Sequence, residues 1–183
     1  LPRLELPPVD TEAGVLARML LSENAGPAHE SFANQTEAHE AMRWMVNVLK
    51  NRLKLGSQHF SAGRQATTLK ELIKAPNQIE GFGDYPNIAE QSSKNIRQIV
   101  DIANDGTHAH HSIYRAYLES ALTIATVQDV GMDPCPTSLY AWRTKNRASP
   151  GKNFRKYATK GGQDFYTLTD DFLLLVSRNG RVQ

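Results

Sequence analysis

The stretch from Glu37 to Lys54 constrains the fold most. Ala38, Met42, Met45, Val46, Leu49 and Leu53 recur there at helical spacing, while Glu37, Glu40, Arg43, Lys50 and Arg52 fall mainly elsewhere. Apolar residues returning every three or four positions mark a helix that buries one face. Weaker versions of the pattern flank it. Val15, Leu16, Met19 and Leu20 predict a helix capped by Asp10 or Thr11 and ending near Ser22 to Asn24, because Gly26 and Pro27 follow within a turn. A short helix is predicted around Leu69 to Lys74. Two more follow, from about Ile88 to Ala103 (Ile96, Ile99, Val100) and from about His111 to Val127 (Ile113, Tyr117, Leu118, Ala121, Leu122, Ala125), with Asn104, Asp105 and Gly106 as the turn between them.

Between these helices, Ala75 to Asn87 is a loop of Gly, Pro, Asn and aromatic residues, too aromatic for a plain linker. Beyond Gly131 the character changes. Pro134 and Pro136 interrupt any helix, and Ser138 to Trp142, Asp164 to Leu168 and Phe172 to Val176 are expected as short strands. The expected fold class is α+β, mostly helical, with a few short C-terminal strands. One domain is expected over residues 1–183, with 1–10 as a leader and 169–183 as a C-terminal extension. With 183 residues, 40% of them hydrophobic, the chain can build one well-buried core.

Several functional classes are disfavoured at once. The longest apolar run, Phe172 to Val176, is far short of the roughly 20 residues a membrane helix needs, so no membrane span is expected. Cys135 is the only cysteine, which excludes a disulfide framework and an all-cysteine zinc site within one chain. No classical secretory signal is visible in Leu1 to Pro8, and the expectation is export by another route. The net charge of +2 hides a division: from Ala141 onward nine Lys and Arg face three Asp and Glu, while the rest of the chain is net acidic. A basic end beside an acidic body suits an anionic polymer as partner.

Glu23 is the residue placed best for chemistry. Cleaving a glycosidic bond needs a carboxylic acid that keeps its proton near neutral pH, hence one partly desolvated beside a groove. The turn before Glu23, Met19 to Leu21, is apolar, and the Asn24, Ala25 and Gly26 that follow are small enough to let a sugar approach. At a helix C-terminus the helix dipole also repels negative charge, which raises the carboxyl pKa.

Around Glu23 the chain resembles a family. Leu16, Ala17, Arg18 and the stretch Ser22-Glu23-Asn24-Ala25-Gly26 are similar to the opening helix, catalytic Glu and following loop of the spore-cortex-lytic, SleB-type cell-wall hydrolases. Val48-Leu49-Lys50-Asn51-Arg52-Leu53 carries the family's Asn-Arg pair at the end of a long helix. Asn77-Gln78 followed by Gly81-Phe82 resembles its groove segment, and Asp133-Pro134 followed by Ser138-Leu139-Tyr140 its Asp-Pro to aromatic stretch. Trp142 and Phe165-Tyr166 fall at its closing aromatic positions. The region from Ala28 to Glu37 is longer than in that pattern, Cys135-Pro136-Thr137 replaces a glycine-rich turn, and the tail after Leu168 has no counterpart.

The resemblance implies a lysozyme-like fold and a cofactor-free glycosidase that cuts β-1,4 bonds between N-acetylated sugars of peptidoglycan, with Glu23 as general acid. It further implies action in the periplasm or cell wall. Two settings fit, remodelling of the cell's own wall or attack on a competitor's; the missing signal points to the second, an antibacterial effector of the type VI kind with a cognate immunity protein that covers the active site.

Other residues have plausible roles in that scheme. Asn77 and Gln78 can hydrogen-bond N-acetyl groups, and Phe82, Tyr85, Tyr140 and Trp142 offer flat faces to pyranose rings, with Phe82, Tyr85 and Tyr140 suited equally to groove or core. Trp142 and Tyr166 are expected in the core. Asn51 and Arg52 are expected to brace the fold, Arg52 with a carboxylate partner. A second catalytic carboxylate would come from Glu80 or Asp84 in the aromatic loop, or from Glu30. No metal is expected: His108, His110 and His111 match no common zinc spacing and suit a polar helix start. Cys135, between two prolines, lacks the helix N-terminus or nearby cation that activates a thiol. The competing class is a nucleic-acid module. Arg143, Lys145, Arg147, Lys152, Arg155, Lys156 and Lys160 interleave with Trp142, Phe154 and Tyr157 over residues 142–160, a pattern suited to phosphate contacts and base stacking.

Overall fold

Thr11 starts the first helix, α1 (Glu12–Glu23): its hydroxyl accepts the Gly14 N–H at 3.0 Å, satisfying a donor that has no partner within the helix. Val15, Leu16, Ala17, Met19 and Leu20 have no exposed surface, so α1 is enclosed by its neighbours. The computed structural model describes residues 1–60 and 66–179. After α1 come α2 (Gln35–Leu55), α3 (Leu69–Lys74), α4 (Glu90–Asn104) and α5 (His111–Val127), then strands β1 (Ala141–Thr144), β2 (Phe154–Lys160) and β3 (Gln163–Leu168), and a final helix α6 (Asp170–Asn179). The architecture is the mostly helical α+β arrangement expected.

α1 packs against α5, α3 and α4, and α5 also packs against α2. The stripe read in the sequence is the buried one: Ala38, Met42, Met45, Val46 and Leu49 on α2 join Tyr117, Leu118, Ala121 and Ala125 on α5 in one core. α3 and α5 have the bounds their patterns predicted, and α4 begins two residues later than expected.

The sheet is antiparallel with order β1-β3-β2, and every residue of the central β3 is buried. The β2–β3 hairpin turns on Gly161 (φ 56°) and Gly162 (φ 77°), both left-handed as a two-residue primed turn requires. The Gly161 N–H donates to Glu37 Oε2 at 3.1 Å, which ties the hairpin to the first turn of α2.

Two strand expectations are corrected. Phe172 to Val176 is not a strand but the middle of α6; Thr169 caps it, its hydroxyl accepting the Phe172 N–H, and Asp170 and Asp171 occupy the first turn, where the helix dipole favours acids. Ser138 to Trp142 becomes a strand only from Ala141, because the Ser138 N–H closes a turn onto Cys135 O and Ser138 takes a positive φ of 73°. β2 lies within the stretch first read for its charge.

The leader is bound to the helices. Leu4 exchanges two hydrogen bonds with Asn104, Arg115 donates to Pro2 O, and Tyr85 donates to Val9 O. In the C-terminal extension, Phe172 and Leu173 pack on a small cluster of Phe60, Tyr140 and Leu168; residues 180–183 of that extension lie outside the described residues. Among the described residues, no helix is long and apolar enough to cross a membrane.

Candidate active site

α1 stops at Glu23 because Asn24 takes extended backbone, with its N–H still bonded to Leu20 O. Three further hydrogen bonds fix this helix end. Asn24 Nδ2 donates to Ala38 O on α2 (3.0 Å), Tyr117 of α5 donates its hydroxyl to Asn24 O (3.3 Å), and Gln163 Nε2 of β3 donates to Glu23 O (3.2 Å). The backbone of Glu23 is therefore held by helices on one side and the sheet on the other.

Its side chain lines a groove of about 1130 Å³. The walls come from three places: Arg52 at the end of α2 with His59 and Phe60 beyond it, the segment Asn77 to Glu80, and β1 with the following loop as far as Phe154. Trp142 Nε1 donates to Glu23 Oε2 at 3.2 Å and fixes the orientation of the carboxyl group. Burial raises the Glu23 pKa most; the Trp142 hydrogen bond opposes the shift, the negative charge of Glu80 adds to it, and Arg143 opposes it. The net direction is upward, toward a carboxyl that keeps its proton at higher pH than an exposed Glu.

Arg52 lies across the groove floor. Its Nε donates to Tyr140 O (2.6 Å), one terminal nitrogen donates to Gln78 Oε1 (3.0 Å), and the guanidinium sits 4.9 Å from the centre of the Phe60 ring. Burial, with Arg143 nearby, lowers its pKa to about 10. The expected carboxylate partner is absent among the described residues: Arg52 is held by neutral oxygens. Asn51 does brace the fold, donating to Asp133 Oδ2 (2.6 Å) and Leu139 O (2.9 Å).

The other expected site residues divide. Asn77, Gln78 and Glu80 line the groove with Glu23. The Gln78 amide accepts from Arg52 and donates to Phe60 O at 2.5 Å, so it positions Arg52 and keeps one N–H beyond these two bonds. Three aromatics expected at the groove lie elsewhere. Phe82 is fully buried and stacks on Tyr85, because successive turns through Ile79, Phe82 and Tyr85 roll the loop inward; the Tyr85 hydroxyl reaches the leader. Tyr140 is buried, stacking on Phe60 with ring centres 5.7 Å apart, and so supports the floor from beneath. Asp84 and Glu30 are exposed and do not line the groove.

Trp142, expected in the core, packs half-buried against it and is also the partner of Glu23 at the groove, while Tyr166 is buried as expected. Arg143, Arg147, Lys152, His59 and Phe60 also line the groove and were not assigned to it. Strand alternation places Trp142 and Arg143 on opposite faces of β1, yet both reach the groove, so the strand pattern carried no signal for them.

The basic stretch 142–160 folds as β1, a loop and β2. Each of its aromatics has a contact within the fold: Trp142 bonds to Glu23, Phe154 packs against the small cluster, and the Tyr157 hydroxyl is tied to Pro134 O while its ring lies 6.0 Å from Trp44; Trp142 and Phe154 also line the groove, and Tyr157 is exposed. Lys156 and Lys160 pair with Asp164 and Glu37.

Compared with family models, curated proteins and solved structures, the chain matches none.

Proposed function

We propose that the chain is a peptidoglycan glycoside hydrolase in which Glu23 protonates the departing oxygen of a β-1,4 bond between N-acetylated sugars. One observation carries the reading: a desolvated carboxyl, oriented by Trp142 Nε1, opens into a groove large enough for several sugar rings. A raised pKa supplies the proton that general-acid catalysis consumes, and helix, sheet and tryptophan hold it without loop motion. No metal or cofactor enters this scheme.

Glu80 is the other carboxylate lining the groove among the described residues, which makes it the candidate for activating water; an intramolecular sugar hydroxyl would make the enzyme a transglycosylase. Because its substrate lies outside the cytoplasmic membrane, such an enzyme acts in the periplasm or wall. The resemblance to SleB-type hydrolases and the lysozyme-like fold it implies belong to the same proposal, as does an effector role of the type VI kind, in which a cognate immunity protein would occlude the groove.

The test is digestion of purified cell walls followed by mass spectrometry of the released muropeptides. New chain ends name the bond and separate hydrolysis from transglycosylation. Glu23→Gln is expected to release no product, and undiminished release would refute the assignment.

A further inference from the structure

Five basic side chains of the described chain form ion pairs, and each has its acid beside it: Arg43 with Glu40, Lys94 with Glu90, Arg115 with Glu119, Lys156 with Asp164 and Lys160 with Glu37. Among the described residues, other basic side chains have no such partner, and the groove gathers four of them. Arg52, Arg143, Arg147 and Lys152 all line it, and among the described residues none pairs with a carboxylate. Only Glu23 and Glu80 offer negative charge there, and Glu23 is the group expected to be protonated.

Arg52 is the informative member. Its half-buried guanidinium is held by two neutral oxygens and an aromatic face and faces the groove with no carboxylate partner among the described residues, which leaves its charge available to an anionic ligand. Arg143 lies near enough for its charge to disfavour that of Arg52, so the two cations share one region of the groove beside Glu23. Planar guanidinium groups match carboxylates through paired N–H donors.

We infer that Arg52 and Arg143, with Arg147 and Lys152 further along the wall, form a cradle for a carboxylate on the sugar bound beside Glu23, so that the groove selects acid-bearing glycan over neutral chitin-type chains. The inference rests on the glycosidase reading and deepens it. Two parts of peptidoglycan carry such a group: the lactyl side chain of a muramyl residue stripped of its peptide, and the free carboxylates of the stem peptide.

The experiment uses the full chain with Glu23→Gln, so that ligands bind without turnover, and calorimetry at low and moderate salt. Four probes are compared: a muramyl tetrasaccharide with free lactyl carboxylates, the same glycan with stem peptides, that glycopeptide with its carboxylates converted to methylamides, and chitotetraose. At least one acid-bearing probe is expected to bind roughly tenfold or more tighter than the neutral ones, as loss of a charged hydrogen-bonded contact implies. Adding Arg143→Gln should erase that advantage, leave chitotetraose unchanged and be partly rescued by Arg143→Lys. Arg143 is exposed on β1, so these variants keep the fold.

Preference for the free lactyl form names that source; preference for the glycopeptide, lost on methylamidation, names the stem. Equal binding of charged and neutral probes, no binding of any, or no effect of Arg143→Gln would overturn the cradle. Failure of the glycosidase reading looks different: charge-selective binding would persist while the wild-type protein releases no muropeptide.

Discussion

At the scale of the residue, Glu23 combines two properties that oppose each other. Burial makes it a usable acid and also makes its ionised form costly to the fold. Because the folded pKa is raised, the contribution of Glu23 to stability is fully present below the ordinary carboxylate range, is lost as pH rises through the folded value, and stays constant above it. Glu23→Gln removes that cost while keeping an oxygen that can accept from Trp142. The variant should therefore be inactive, by roughly 10²–10⁴-fold as expected for loss of a general acid, yet melt higher than the wild type at neutral pH. The gap should close in acid. Thermal scans of both proteins across pH check this, and a variant that melts lower at neutral pH would contradict it. Trp142→Phe tests the same carboxyl from its partner. Without the indole donor, which lowers the Glu23 pKa, the alkaline limb of the activity profile should move to higher pH. The maximal rate should fall several-fold, roughly as for one lost orienting hydrogen bond. An unmoved limb would mean that another group sets it.

At the scale of the element, the hairpin turn joins the sheet to the acid. Gly162 occupies a left-handed conformation, and a Cβ there would come within 2.5 Å of Ser31 Cβ and 3.1 Å of Ser31 O. Gly162→Ala should cost about 2 kcal/mol, combining left-handed strain with displacement of the 28–34 loop, or about 4–8 °C in melting temperature. Gln163, the next residue, holds Glu23 O, so activity should fall further than stability alone dictates. Activity in proportion to the folded fraction would show that the hairpin does not position the acid. The elements were legible in the sequence where burial is one-sided. α2, α3 and α5 keep their apolar faces inward, and Thr11 and Glu23 bracket α1 as their types suggest. β2 was not legible as a strand, because most of its residues are exposed and its Lys and Arg follow no simple alternation. The apolar run in α6 looked like a strand, although Thr169-Asp170-Asp171 before it is a helix-start signal. For the site, Glu23 and the Asn77 to Glu80 segment were legible because they lie beside local breaks in helix and loop. Trp142 and Arg52 were not, since their roles depend on pairing with β3 and on the Phe60–Tyr140 stack, contacts between segments far apart in sequence.

At the scale of the whole molecule, the division of charge seen along the chain is reorganised by folding. Part of the basic segment from Ala141 onward is neutralised against the helical body and β3 through Lys160–Glu37 and Lys156–Asp164, and the cations left unpaired among the described residues include Arg143, Arg147 and Lys152 along the groove. A cation-lined trough attracts an anionic polymer over about a Debye length, which is ~10 Å at 0.1 M salt. Raising salt should therefore weaken capture of the wall more than the chemical step: kcat/KM for wall fragments should fall several-fold between low and moderate ionic strength while kcat changes little, as expected for electrostatic steering. The same protein offered single-stranded nucleic acid in a retardation assay should bind weakly and lose that binding steeply with salt, as phosphate contacts dictate, since the polar ends of Trp142 and Tyr157 are already tied within the fold. Tight, salt-resistant retention of nucleic acid, together with wall digestion indifferent to salt, would mean that the groove charges serve a different polymer from the one Glu23 is placed to cut.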